Sequence, residues 1–135
     1  MTKSDLEQLT LLNSEISRDL ERLQELYALL TGCTSSISGL PHIGLLRGSE
    51  RTDKFVSMID VLEQQIKERV LDSAALYIQI WSYINTIHDP LVRQIIALRY
   101  IDGLPWQQVA NNIGGGISAD HARILLNRYL AANAG

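Results

Sequence analysis

Side chains that can read the edges of base pairs cluster near the end of the chain. The last helical stretch leaves its first turns exposed at five positions: Ala119, Asp120, His121, Arg123 and Asn127. Arginine is the commonest reader of guanine, asparagine pairs with adenine, and aspartate can accept a hydrogen bond from cytosine N4. These residue types therefore predict contacts with base edges, with Arg123 and Asn127 as the leading candidates.

Other residues nearby are suited to phosphate. Ser118 would begin the same helix, and a helix N-terminus favours an anion. Gln107 and Gln108 stand at the start of the preceding helix, where a nucleic-acid backbone usually passes, and Arg128 offers a further cation. Asp120 would oppose a phosphate, so its alternative role is that of a helix-dipole residue, and the alternative for His121 is a solvated side chain.

No combination of residues predicts catalysis, a metal site or a cofactor. The three histidines are scattered along the sequence, and no nucleophile, histidine and acid form a set. The single cysteine, Cys33, cannot form an internal disulfide, which favours a reducing compartment. The three successive glycines follow no strand, so they do not indicate a phosphate-binding loop of the nucleotide-binding kind. We therefore do not expect an enzyme.

Composition and charge limit the possible architectures. A chain of 135 residues with 46% hydrophobic and 20% charged residues predicts one folded domain, or a small domain with an arm. The net charge is -3, but residues 1–85 hold eight basic against twelve acidic residues, whereas residues 86–135 hold four against three. The second part is weakly basic, which predicts modest DNA affinity for a monomer.

Residues that typically start or end helices divide residues 89–135 into three short helices. Asp89 with Pro90 predicts the first helix start, and Asp102 with Gly103 predicts its end. A second helix follows over residues 106–113, three glycines form a turn, and Ser118 caps the last helix. Two short helices joined by a glycine turn are typical of a helix-turn-helix DNA-binding domain, and Ala110 would let the two helices cross closely.

The same stretch resembles region 4 of the sigma-70 family and, more closely, phage-encoded sigma-like regulators of the ArpU and RinA kind. Their pattern runs helix, RY-I-x-G-x-x-W-x-x-I-A, turn, serine and recognition helix. The residues that match it here are Arg99, Tyr100, Ile101, Gly103, Trp106, Val109, Ala110 and Ser118. The resemblance implies a DNA-binding module and makes RNA polymerase a candidate partner. The glycine turn is about two residues longer than the family pattern.

Residues 1–88 predict a long helical hairpin arm. Apolar residues of the first helix follow a heptad pattern, with Leu6, Asn13, Leu20 and Tyr27 at one position and Leu9, Ile16, Leu23 and Leu30 at the other. Ser4 and Glu7 predict a capping box at its start. A Gly- and Ser-rich linker covers residues 32–52, and a second helix runs from Asp53 to about His88. The seam of that helix is Val56, Ile59, Ile66, Val70, Tyr77, Ile80, Ile84 and Ile87.

The predicted seam has two interpretations. In the first, the two long helices pair with each other within one chain. In the second, they pair between chains and form a homo-dimer, in which Asn13 would face its partner and fix the register. A dimer of hairpins would satisfy both interpretations.

The leading hypothesis is an all-α cytoplasmic regulator that binds double-stranded promoter or operator DNA, with no membrane span. One alternative is a DNA-packaging protein similar to a phage small terminase subunit, which also joins a helix-turn-helix to helical oligomerisation segments. The other is a helical adaptor that binds protein and not DNA, because the charge of the predicted recognition helix is mixed.

Overall fold

Every regular element of the described chain is helical. The computed structural model describes residues 1–32 and 48–133, with the backbone alone at 48–51. The helices are α1 (Lys3–Thr31), α2 (Gly48–Thr86), α3 (Pro90–Ile96), α4 (Trp106–Ile113) and α5 (Ala119–Ala132), with a π-helical turn at Ala97–Ile101. The predicted all-α class is therefore confirmed over the described residues.

These helices form two compact units. The first unit contains Met1–Asn13 and Asp72–Gly135, and the second contains Ser14–Leu71. The helices α1 and α2 each contribute to both units. The C-terminal helices thus share their unit with the first residues of α1 and the last part of α2, whereas the sequence drew a boundary at residue 88.

The second unit has a small apolar core and a buried ion pair. Leu26 and Leu29 of α1 pack with Phe55 and Ile59 of α2. Asp19 is only 1% exposed, and its carboxylate accepts hydrogen bonds from the guanidinium groups of two arginines of this unit. Burial of a carboxylate is tolerated when it is paired in this way.

In the second unit one of the two predicted heptad positions is shifted by one residue, whereas Leu23 and Leu30 at the other position pack against the core. Leu20 and Tyr27 were expected to face α2, but both are exposed, whereas Asp19 and Leu26 are buried. Tyr27 lies at the edge of the helix pair, where its hydroxyl donates to the carboxylate of Glu63. The shift follows from these polar contacts, which the three-and-four spacing of apolar residues does not encode.

Three positions of the seam predicted for α2 are not buried within the chain. Val56, Val70 and Tyr77 are exposed, and in the second unit the buried position is Phe55, one residue before Val56. The predicted core positions Ile59, Ile80, Ile84 and Ile87 are buried.

The core of the first unit joins α1 and α2 to the C-terminal helices. Leu6 and Leu9 pack in one cluster with Ile80, Ile84 and Ile87, and the same cluster includes residues of α3 and α5. The last part of α2 therefore packs with the C-terminal helices. Within the chain, Asn13 accepts a hydrogen bond from the Ser73 hydroxyl at 2.6 Å.

The helix boundaries differ from the predicted ones in two places. The N-terminal capping box lies two residues before the predicted one: Thr2 and Asp5 exchange side-chain to backbone hydrogen bonds of 2.8 and 3.2 Å. Helix α2 begins at Gly48, so the predicted linker 32–52 is wrong over its last five residues. Its remainder, except Gly32, lies outside the described residues. Gly32 follows the end of α1 in a left-handed conformation.

Candidate nucleic-acid interface

The entry into the C-terminal helices is fixed by the predicted cap. The Asp89 carboxylate accepts a hydrogen bond from the Leu91 amide at 2.9 Å, and Pro90 occupies the first position of α3. Arg93 donates to the Ile87 carbonyl at 2.9 Å, which satisfies a carbonyl oxygen at the corner between α2 and α3. The corner is therefore held by hydrogen bonds from both sides.

A π-helical turn then redirects the chain toward α4. The Asp102 amide donates to the Ala97 carbonyl at 2.9 Å, five residues back, where an α-helix would use the fourth. The turn keeps Tyr100 in the core, and burial raises the pKa of its hydroxyl. The sequence predicted an uninterrupted helix here and gave no sign of the extra residue.

Arg99 joins this turn to the start of α4. Its guanidinium donates to the Leu104 carbonyl at 3.1 Å and lies 5.0 Å from the centre of the Trp106 ring. Arg99 is thus held by a carbonyl oxygen and an aromatic face. Trp106 is half-buried against the core, as expected for a structural aromatic residue. Both residues therefore support α4.

The helices α4 and α5 are joined by a turn that only glycine accommodates easily. Gly114, Gly115 and Gly116 all have positive φ angles, between 68° and 78°. Side chains other than glycine disfavour this left-handed region. The Ser118 hydroxyl then accepts a hydrogen bond from the His121 amide at 3.0 Å and caps α5, as predicted.

The inward faces of the two helices are buried. Val109 and Ala110 of α4 are buried, as are Ala122 and Leu126 of α5, and α4 packs against α5. Small residues at positions 110 and 122 allow two helices to approach closely. The longer glycine turn is thus compatible with packing of α5 on α4.

The outward face of α5 carries most of the predicted base-reading side chains. Asp120, Arg123 and Asn127 are exposed. At about 100° per residue, Asp120 and Asn127 lie opposite the buried Ala122, and Arg123 lies beside them. Arg123 donates to the Asp120 carboxylate at 3.2 Å, so the two charges partly neutralise each other in the free protein.

The remaining predicted residues occupy the edges of this surface. His121 and Arg128 are exposed on the opposite flank of α5 from Arg123, and Ser118 is exposed at its N-terminus. Ala119 is half-buried and offers little to a ligand. The structure therefore brings eight of the nine predicted residues to solvent, six of them on α5 or its cap.

Gln107 and Gln108 are exposed in the first turn of α4. Gln107 donates to the side chain of Asn111 at 3.3 Å, one turn further along. Asn112 donates to the Gln108 carbonyl at 2.8 Å. This side of α4 is therefore an uncharged polar surface of amides that can donate and accept hydrogen bonds.

Sequence reasoning missed three residues of the surface. Ile124 is 42% exposed and lies between Asp120 and Asn127 on the outward face of α5. An apolar side chain there can contact a thymine methyl group. Asn111 and Asn112 extend the amide surface of α4. The spacing of Ile124 from Ala122 and Leu126 places it on the outward face, and this signal could have found it.

The described residues contain neither a candidate metal site nor a candidate membrane-spanning helix. Among residues 1–32 and 52–133, no group of three or more histidine, cysteine, aspartate or glutamate side chains could hold a metal ion. Over the same described part of the chain, no helix is both long enough and apolar enough to cross a membrane. No known family, curated protein or solved structure matches the chain.

Proposed function

We propose that this chain is a DNA-binding transcriptional regulator of the phage or prophage type, with no catalytic activity of its own. Helices α4 and α5 form its helix-turn-helix, and α5 enters the major groove of promoter or operator DNA. In keeping with the resemblance to sigma-70 region 4, RNA polymerase is a further partner. The protein acts in the cytoplasm as a homo-dimer.

The observation that carries this proposal is the contrast between the two faces of α5. Its inward face is buried on α4, whereas its outward face presents Arg123 and Asn127 to solvent. A helix of 14 residues is about 21 Å long and fits a major groove about 12 Å wide. The polar face is therefore the right size and chemistry for base contacts.

Phosphate contacts support the same docking. The capped N-terminus of α5 directs its free backbone amides outward and favours an anion. Gln107 and Gln108 on α4 and Arg128 on α5 provide further donors around the rim. The weak positive charge of residues 86–135 limits what one copy can gain from phosphate, and a dimer doubles that gain.

The test is a DNA titration at two salt concentrations, with fragments from the protein's own genomic neighbourhood and with the mass in solution measured by light scattering. Arg123→Ala should weaken binding to a preferred fragment by about 1 to 3 kcal/mol. Arg18→Ala removes the same charge from an exposed position outside the surface and serves as the matched control. It should leave the preference among fragments unchanged.

The outcomes separate the candidate functions. Saturable, fragment-selective binding by a dimer that depends on Arg123 supports the regulator. A ring of many copies would favour the DNA-packaging role. Equal affinity for the Arg123→Ala and Arg18→Ala variants, with unchanged melting, would mean that α5 does not read bases.

The adaptor remains a second candidate because of one observation. Ile124 stands exposed in the middle of the outward face, and Asp120 neutralises part of the charge of Arg123. An exposed apolar residue beside two charges that already pair with each other is also typical of a protein–protein contact. Absence of DNA binding at low salt, with a folded protein, would leave this candidate in front.

A further inference from the structure

An exposed apolar surface lies on α2 within the first unit. We call it the α2 patch, and its members are Ala74, Ala75, Tyr77, Ile78 and Trp81. Ile78 is 64% exposed, Trp81 48% and Tyr77 45%. The rings of Tyr77 and Trp81 stack with their centroids 6.4 Å apart and their planes 7° from parallel. Together they form a flat apolar side of the helix.

The α2 patch does not belong to the core of its unit. Ile80 and Ile84 face that core, and Ile78 lies about 160° around the helix from Ile80. Isolated exposed apolar residues are normal, but five in eight residues are a continuous surface. Patches of this kind usually mark a site of interaction.

The charge pattern indicates what kind of surface can cover the α2 patch. From Ser73 through His88 the sequence contains no aspartate, glutamate, lysine or arginine. The polar residues next to the patch on α2, Gln79 and Ser82, are uncharged. Two copies of such a surface can meet without bringing like charges together, which is the requirement for a two-fold interface.

We propose that the α2 patch is the surface on which a second copy of this chain packs, with the two α2 helices antiparallel across a two-fold axis near Tyr77 and Ile78. In that register the Trp81 indole of each copy lies over the small side chain of Ala74 in the other. Tyr77 lies beside Ile78 of the other copy. Large residues opposite small ones allow two helices to pack closely.

The area of the α2 patch sets the strength of this dimer. A buried aromatic side chain contributes about 150 to 250 Å², so half-exposed Tyr77 and Trp81 offer about 100 Å² each and the whole patch about 300 to 400 Å². Two copies bury about 700 Å², against about 1,200 to 2,000 Å² for a stable standard interface. The dimer is therefore in concentration-dependent equilibrium with the monomer.

This inference rests on the proposed function in one respect. A second copy is expected because DNA half-sites are read by paired recognition helices. Its test, however, needs no DNA. Sedimentation velocity of the full chain, from low to high micromolar concentration, should show the mass rise from one chain to two. Ile78→Glu should weaken dimerisation at least tenfold, because it places a charge in the contact.

Leu11→Glu is the matched control. Leu11 is 66% exposed on α1 of the same unit and lies outside the α2 patch. The same substitution there changes net charge equally and should leave the dimerisation constant within about twofold of the wild type. Circular dichroism of both variants should match the wild type, because neither side chain is in a core.

Two results would overturn the inference. One is a wild-type protein that stays monomeric over the whole range. The other is a dimer that Ile78→Glu and Leu11→Glu affect equally. In either case a separate DNA titration still decides the proposed function, so the two failures are distinguishable.

Discussion

The buried carboxylate of Asp19 makes Arg69 the most informative residue for the stability of the second unit. Arg69 contacts Asp19 through its Nη1 and Glu15 through its Nε, at 2.6 Å in the second case. Arg22 contacts the other oxygen of Asp19 at 3.2 Å but is itself largely exposed. Replacing Arg69 by methionine keeps the aliphatic stem and removes the main partner of a buried charge.

The expected cost follows from these contacts. Removing one partner of a fully buried ion pair costs about 3 to 5 kcal/mol. Arg69 is partly exposed and Arg22 remains beside Asp19, so we expect Arg69→Met to lower the free energy of unfolding by about 2 to 3 kcal/mol. Arg22 is itself largely exposed and Arg69 remains beside Asp19, so Arg22→Met should cost about 0 to 1 kcal/mol.

Urea unfolding followed by far-UV circular dichroism measures the difference. Both tryptophans, Trp81 and Trp106, lie in the first unit, so their fluorescence does not report on the second unit directly. With a slope of about 1 to 3 kcal/mol per molar urea, the midpoint for Arg69→Met should fall by roughly 1 to 2 M. A double variant, Asp19→Leu with Arg69→Met, should recover much of that loss, because no unpaired charge stays buried.

The reasoning would be refuted if Arg69→Met cost no more than Arg22→Met. It would be refuted equally if the double variant lost at least the sum of its two single variants. That second outcome would mean that Asp19 and Arg69 do not stabilise each other in the folded protein.

Two further predictions concern the helix caps. Ser118→Ala should lower stability by about 1 kcal/mol, because the amide of His121 loses its acceptor, whereas Ser82→Ala on α2 should not, as thermal melting can show. Hydrogen bonds from the backbone and hydroxyl of Thr2 hold the pKa of Asp5 below 3.8. A lowered carboxyl pKa stabilises the fold above pH 3.8, and this contribution disappears as the pH falls through the folded pKa. NMR titration should find the Asp5 pKa higher in Thr2→Val.

The helix ends were predictable because their signals are local. Asp89 with Pro90, Gly103 and Ser118 each act on backbone groups within three residues, so the sequence alone identifies them. The N-terminal cap shows the limit of such reasoning. Ser4 and Thr2 both offer a hydroxyl with an acid three residues later, and only the structure decides between them.

The sequence did not predict which of two adjacent residues on the long helices faces the core. Leu20 and Tyr27 fit a heptad as well as Asp19 and Leu26 do in spacing, and residue type favours the wrong pair. The choice depends on Arg69, fifty residues away from Asp19, which makes the acid the buried member. Information of that range is not contained in a local pattern.

The sequence predicted which residue types lie on the candidate interface better than it predicted their contacts. Arg123 and Asn127 are exposed, as helical spacing from Ala122 and Leu126 requires. Ile124, which is exposed, was not among the predicted residues, although the same spacing places it outside. The pairing of Arg123 with Asp120 depends on rotamers, which a sequence does not specify.

The π turn at Ala97–Ile101 bears on how the chain tolerates a change in length. It holds one residue more than an α-turn, so a single deletion there could restore regular helix and keep every backbone bond. The same deletion would rotate the side chains on its far side by about 100° relative to those before it. Tyr100 would leave the core, or Arg99 would lose both Leu104 and Trp106. Insertions and deletions should therefore be rarer at this turn than its position between helices would imply.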